Sequence, residues 1–118
     1  MSTRSYILIE NTDGTFSGIY CHFDGYPKGV GATLLDSYRT EAKIRELIAL
    51  GTLSSLSSSP ETSVINHYDA KDAFPEILQS FTSGRYGGIQ YRYVFTRDGD
   101  WMVYTDYPKT YTRLAGTF

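Results

Sequence analysis

Two β-rich runs near the amino terminus lie on either side of an Asp-Gly pair. The β-rich run Tyr6–Ile9 precedes Asp13–Gly14, and Phe16–His22 follows it. An Asp-Gly pair between two such runs is a strong local signal for a hairpin. With Asp13–Gly14 as a two-residue loop, Ile7 is expected opposite Tyr20. Since side chains alternate across a strand, one face is expected to carry Ile7, Ile9, Tyr20 and His22, with Cys21 on the other.

The same pattern recurs near the carboxyl terminus. Apolar and polar residues alternate over Ile89–Phe95, Asp98–Gly99 supplies a second tight turn, and Trp101–Thr105 returns. This segment predicts a second hairpin. Between the two hairpins, Val64–Tyr68 is a shorter β-rich run and predicts one further strand.

Apolar residues in the middle of the chain recur at helical spacing. Val30–Tyr38 and Ile44–Ile48 each predict a helix, and Thr40 is placed to cap the second one. A third, short helix is predicted over Phe74–Phe81. The core residues expected from the two longer stripes are Leu34, Leu47 and Ile48.

Strands at both ends and helices between them predict an α+β fold. The two terminal hairpins are expected to pair into one antiparallel sheet, with two to three helices packed on one of its faces. No segment has the composition of a linker between domains, so residues 1–118 are interpreted as a single α+β domain.

Composition narrows the functional classes. The chain has 118 residues, 41% of them hydrophobic, with a formal net charge of −2 and a pI of about 5.6. Proteins that bind duplex nucleic acid usually carry a basic stripe, which this charge balance disfavours. No apolar run approaches the roughly 20 residues of a membrane span, and the amino terminus lacks the pattern of a secretion signal. A single cysteine, Cys21, is typical of a reducing compartment, so a cytoplasmic location is expected.

Tyrosine is the most unusual feature of the composition, with eleven in the chain. A flat ring with a polar tip suits binding surfaces and stacking on bases. The alternative is that a small sheet uses tyrosine as a β-former that tolerates half-burial.

Each of the two histidines is followed two residues later by an aspartate. The pairs are His22 with Asp24 and His67 with Asp69. In extended backbone, residues i and i+2 share a face. Two such pairs side by side would be candidate catalytic residues for metal-dependent or acid–base chemistry. Alternatively, each aspartate orients its histidine or caps a turn, and no metal site is assigned.

A glycine-rich segment precedes the first predicted helix. Backbone amides at the start of a helix can hold an anion. The candidate ligand-binding residues are Tyr20, Tyr26, Lys28, Gly29 and Gly31. Their spacing matches neither common phosphate-binding fingerprint, and no cofactor is implied. The alternative is a tight turn in which Asp24 and Gly25 redirect the chain, with Gly25 at positive φ.

The block IYCHFDGYPKGVGATLLDSY, followed by IRELIALGTLSSL, resembles a group of small uncharacterised bacteriophage and prophage proteins. In that group the block reads I-Y-C-H-W-D-G-Y-P, then a glycine, a leucine pair and a tyrosine, then L-I-A-L-G. Phe23 stands here in place of the tryptophan. The strong match covers residues 19–56, about a third of the chain, and Asn66–Asp69 resembles the group's His-x-Asp stretch. The resemblance implies a phage or prophage accessory protein made in a bacterial cytoplasm. It implies no catalytic residue.

These features favour a non-enzymatic accessory protein. It is expected to bind a host or defence component through a tyrosine-rich surface and the Tyr20–Gly31 loop. One alternative is a binder of a small anionic ligand such as a nucleotide, through Lys28, the glycine amides and tyrosine stacking. The other is a metal-dependent hydrolase built on the two His-x-Asp pairs. A flat tyrosine-bearing face would favour a protein partner, and a concave pocket beside Lys28 would favour a small ligand.

Overall fold

The computed structural model describes residues 2–65 and 75–116. Within these ranges the strands are β1 Ser5–Glu10, β2 Phe16–Cys21, β3 Leu53–Ser55, β4 Val64–Ile65, β5 Glu76–Leu78, β6 Tyr91–Phe95, β7 Trp101–Asp106 and β8 Lys109–Arg113. The α-helices are α1 Ala32–Ser37 and α2 Glu41–Ile48, with a π-helical turn at Pro27–Gly31 and 3-10 turns at Pro60–Thr62 and Leu114–Gly116. The chain is therefore mostly sheet with some helix. His67 and Asp69 lie outside the described residues.

The strands form one mixed sheet in the order β4-β3-β2-β1-β6-β7-β8, and β5 pairs with the beginning of β2. Both predicted hairpins are present as β1–β2 and β6–β7. The prediction of a wholly antiparallel sheet is wrong, because β1 runs parallel to β6 and β2 runs parallel to β3. The first strands of the two hairpins lie side by side in the same direction. Nearly every residue of β1 is buried, as is typical of a central strand with both faces covered.

The register of the first hairpin differs from the prediction by one residue. Leu8 pairs with Gly18 and Ile7 pairs with Ile19, because the five residues Asn11–Thr15 connect the strands instead of two. The Asn11 amide donates to the Thr15 carbonyl at 2.7 Å and so closes the longer loop. A one-residue shift reverses the faces of a strand. The predicted pairing of Ile7 with Tyr20 is therefore wrong.

The two faces of the sheet carry separate apolar clusters. On the helix face, residues of β1 and β2 pack with α1 and α2; this cluster includes Ile7, Ile9, Ile19, Cys21, Val30, Leu34, Ile44, Leu47 and Ile48. On the opposite face, called here the loop face, the buried residues are Tyr6, Leu8, Tyr20, Leu78 and Val94, and Phe16, Phe81, Tyr86 and Ile89 pack against them. The predicted core residues Leu34, Leu47 and Ile48 are all buried.

Local signals account for the two helices. Thr40 caps α2 as predicted, because its hydroxyl accepts from the Lys43 amide at 3.3 Å. Tyr38 follows the last residue of α1, and its carbonyl accepts from Trp101 Nε1 at 2.8 Å. This bond joins the end of the helix to β7. Within the described residues, no helix has the length and apolar character needed to cross a membrane.

The predicted helix over Phe74–Phe81 is wrong where the structure describes it. Glu76–Leu78 is strand β5, with Ile77 exposed and Leu78 buried against β2. This alternation has the period of a strand, which a short apolar run does not reveal by itself. Val64–Ile65 forms β4, and the rest of that predicted strand lies outside the described residues.

Candidate functional site

One end of the sheet collects the segments that the sequence singles out. Ser5, at the start of β1, lies opposite both Cys21 at the end of β2 and Tyr91 at the start of β6. The turn between β7 and β8 lies at the same end, because Arg92 pairs with Tyr104. The Tyr20–Gly31 loop, the residues before Tyr91 and the β7–β8 turn therefore meet there. We call this region the aromatic end.

The Tyr20–Gly31 loop is built as a tight turn. Asp24 has the left-handed φ of +59°, and its carbonyl accepts from the Val30 amide at 2.8 Å. The Gly25 amide donates to the Thr3 carbonyl at 2.9 Å. A side chain at Gly25 would lie 2.6 Å from that carbonyl oxygen and 2.8 Å from Ser5 Cβ. The expected positive φ thus falls on Asp24, and position 25 requires glycine because the Thr3 carbonyl and the Ser5 side chain are so close.

Hydrogen bonds within this turn use backbone amides of the predicted anion site. The Gly29 amide donates to the Tyr26 carbonyl at 2.9 Å, and the Val30 amide donates to the Asp24 carbonyl. Gly31 is buried, and a side chain there would contact Tyr93 and Leu114. These amides therefore do not form an open cradle beside Lys28, although Lys28 itself is exposed.

His22 and Asp24 have different partners. Strand β2 ends at Cys21, so these two residues do not share the face that an extended strand would give them. The Nδ1 atom of His22 lies 2.7 Å from the Tyr20 hydroxyl, and its ring packs edge-on against Phe23. The Asp24 carboxylate accepts from the Tyr26 hydroxyl at 3.4 Å. Among residues 2–65 and 75–116, no three His, Cys, Asp or Glu side chains are grouped to hold a metal ion.

Cys21 lies on the helix face, fully buried. Burial raises the pKa of its thiol to about 12, because a low-dielectric interior disfavours the thiolate. A protonated, inaccessible thiol is a poor nucleophile. Cys21 therefore acts as a small apolar residue of the core.

Half of the ten described tyrosines belong to the core. Five are buried: Tyr6, Tyr20, Tyr38, Tyr93 and Tyr104. The Tyr6 hydroxyl donates to Glu76 at 2.5 Å and accepts from the Tyr86 amide at 3.2 Å. The Tyr20 and Tyr86 rings stack with centroids 4.3 Å apart. These contacts hold the segment before β6 against the loop face, as expected for tyrosine used as a half-polar core residue.

Three aromatic side chains at the aromatic end are exposed. Phe23 is 46% exposed, Tyr26 is 43% exposed and Tyr107 is 97% exposed. Tyr107 occupies the β7–β8 turn with a cis Tyr107-Pro108 peptide bond. An almost fully exposed tyrosine such as Tyr107 contributes little to the core.

A cleft of about 570 Å³ opens beside Tyr107. Its lining includes Tyr86, Tyr91, Arg92, Asp106 and Tyr107, together with the backbone of the Gly87–Gly88 segment. The Arg92 guanidinium donates to the Phe81 and Ser83 carbonyls at 3.1 and 2.6 Å. The Asp106 carboxylate accepts from the Tyr104 hydroxyl at 2.8 Å. Tyr86 and Tyr91 stack on Tyr20 and Tyr93 respectively, whereas the Tyr107 side chain is almost fully exposed at the edge of the cleft.

The sequence predicts Tyr20 and Tyr26 as binding residues, and both lie in this region. It predicts neither the cleft nor the exposed position of Tyr107. A Tyr-Pro pair between Thr105 and Lys109 is a turn signal, and the β-branched run after it is a strand signal. Together they would have located the third hairpin and the exposed ring at its tip.

Neither a family model, nor a curated protein, nor a solved structure matches this chain.

Proposed function

We propose that this chain binds a bacterial host or defence protein through the aromatic end. The observation that supports the proposal is the grouping of Phe23, Tyr26 and Tyr107, all exposed, at one end of the sheet. Aromatic residues are enriched where protein partners dock. They supply a large contact area at a small cost in side-chain entropy.

The size of the region suits a protein partner. Strands β2 and β7 are separated by three strand spacings, β2-β1, β1-β6 and β6-β7. At about 4.8 Å per spacing, Phe23 and Tyr107 follow strands about 14 Å apart. A standard interface takes roughly 800 Å² from each partner, so a protein bound here would contact both the Tyr20–Gly31 loop and the β7–β8 turn.

The bacterial setting of the proposal comes from the resemblance of residues 19–56 to phage and prophage proteins. Proteins of that kind act inside the infected cell, where host and defence proteins are the available partners. The matching block contains two of the three exposed aromatic residues, Phe23 and Tyr26. The residues that carry the resemblance and part of the proposed contact surface are therefore the same.

The two alternative functions have weaker support in the described residues. A small anion would need the Gly29 and Val30 amides, which already donate to backbone carbonyls. A hydrolase built on two His-x-Asp pairs would need His22 and Asp24 to converge, yet they contact Tyr20 and Tyr26 respectively. The other pair, His67 with Asp69, lies outside the described residues.

The test is capture from bacterial lysate followed by measurement of affinity with the purified partner. Tyr107→Ala and Tyr26→Ala are each expected to weaken binding by about tenfold or more, as for residues at the centre of an interface. Ile77→Ala is the matched control. Ile77 is an exposed apolar residue paired with Ser17 at the opposite end of the sheet.

Three results distinguish a protein partner at the aromatic end from the alternatives. A protein retained by the wild type and by Ile77→Ala, but lost with both tyrosine variants, would support the proposal. Equal retention by all four proteins would place the binding surface elsewhere. Recovery of a bound metabolite instead of a protein, again sensitive to Tyr107, would favour the small-ligand alternative.

A further inference from the structure

Strand β8 forms one edge of the sheet in the described part of the chain. All five residues, Lys109–Arg113, are exposed. An edge strand presents backbone N–H and C=O groups that can pair with another strand. Thr and Tyr at its centre are residues that favour extended backbone.

The sequence of β8 is nearly palindromic. It reads basic, Thr, Tyr, Thr, basic, with Tyr111 at the centre. When two identical strands pair antiparallel about a two-fold axis at Tyr111, Thr110 of each copy lies opposite Thr112 of the other. Directly opposed Thr–Thr and aromatic pairs stabilise a sheet. We propose that β8 pairs antiparallel with β8 of a second copy, so that one sheet runs through a homodimer.

The charges at the two ends of β8 are compatible with this register. Lys109 would lie opposite Arg113 of the second copy, and like charges alone would repel. However, Arg113 forms an ion pair with Asp100 at 2.8 Å, and Lys109 lies opposite Asp106 in the β7–β8 hairpin. Each end of the paired strands therefore brings together two basic and two acidic side chains.

The central residue has an open surface for its counterpart. The Tyr111 ring stacks on Phe81 with centroids 5.0 Å apart, and Tyr111 remains 43% exposed. Residues directly opposed in an antiparallel pair have Cβ atoms about 5 Å apart. Tyr111 of the second copy would thus cover part of the exposed ring on the same face.

The length of β8 sets the strength of the association. Five residues at about 3.4 Å each span about 17 Å. This contact is smaller than a standard stable interface, so the dimer is weak and depends on protein concentration. The inference does not depend on the proposed host partner.

Two double variants test the register. Thr110→Glu with Thr112→Glu places carboxylates opposite each other twice and should weaken dimerisation about tenfold. Thr110→Lys with Thr112→Glu places opposite charges in the same two pairs and should strengthen it several-fold. Both variants lose the Thr105–Thr110 hydroxyl contact of 2.7 Å, so they are matched for that defect. Sedimentation velocity from about 10 μM to about 1 mM measures the association at these weak affinities, and circular dichroism confirms folding.

The proposal predicts a wild-type monomer–dimer equilibrium that the two variants shift in opposite directions. A wild-type protein that stays monomeric throughout this range would overturn it. A dimer that both variants leave unchanged would place the contact on another surface. If the protein is monomeric and the β8 variants instead fail to bind an extended segment of another protein, that segment pairs with the edge. This result would also overturn the proposed homodimer.

Discussion

The Tyr93 hydroxyl donates a hydrogen bond of 2.7 Å to the Gly25 carbonyl within the protein interior. This contact joins β6 to the loop that follows β2, across 68 residues of sequence. Both groups are buried, so water does not replace either partner.

Tyr93→Phe removes the donor and leaves the Gly25 carbonyl without it. An unsatisfied buried carbonyl costs about 1–3 kcal/mol, and we expect the free energy of unfolding to fall by that amount. Tyr107→Phe is the same substitution at an almost fully exposed position and should change stability by less than about 0.5 kcal/mol. Urea denaturation measures both. Equal stability of the two variants would show that the Tyr93 bond is unimportant.

Gly25→Ala should also destabilise the protein, by about 1–3 kcal/mol, because the added methyl group forces the backbone near Thr3 and Ser5 to move. Gly87→Ala is the control, since a side chain at Gly87 would meet no atom within 4 Å. Thermal unfolding of both variants checks the difference. A Gly25→Ala protein as stable as Gly87→Ala would contradict the close approach of the two segments.

Leu47→Ala should reduce the free energy of unfolding by about 2–5 kcal/mol, since Leu47 is fully buried between α2 and the helix face. Ile77 is 70% exposed, and Ile77→Ala should cost less than about 0.5 kcal/mol. Chemical denaturation of the pair tests the assignment of the helix face. A small effect at Leu47 would mean that α2 presents a different side to the sheet.

Stability should decrease at alkaline pH. Burial raises the pKa of Tyr6, Tyr93 and Cys21, so the folded protein holds these protons more tightly than the unfolded chain. The stabilisation is therefore complete below the unfolded pKa values, about 8.5 for cysteine and about 10 for tyrosine, and is lost as the pH rises above them. Denaturation between about pH 8 and pH 11, followed by tyrosinate absorbance, measures the decrease. Rapid ionisation of all tyrosines without unfolding would contradict it.

Local signals in the sequence were sufficient for some elements. The Asp-Gly pairs indicated both hairpins, and the spacing around Leu34 and Leu47 indicated the two helices, because turns and amphipathic helices depend on neighbouring residues. The parallel pairing of β1 with β6 was not predictable in this way. It joins Ile7 to Tyr93 across most of the chain, and no local pattern records which strands become neighbours.

The candidate site also combines features set by neighbouring residues with features set by distant strand pairing. Tyr26 was identified from its place in a glycine-rich turn, and its exposure follows from that turn. The prediction that His22 and Asp24 share a face assumes an extended backbone. Asp24 has a positive φ, so the backbone is not extended there. The cleft beside Tyr107 combines the segment before β6 with the β7–β8 turn. Its existence depends on sheet order, which the sequence pattern did not provide.

The position of β1 between β2 and β6 also constrains the order of folding. After synthesis of Cys21, β1 can pair on one side only, and its other edge stays open until Phe95 has been made. Non-local pairings of this kind slow folding, because the loop-closure entropy is lost before the contacts form. A nascent or truncated chain that ends before β6 therefore exposes Ile7–Ile9 as an apolar strand edge, and such edges are prone to aggregate. The complete carboxyl-terminal hairpin is what protects the first strand.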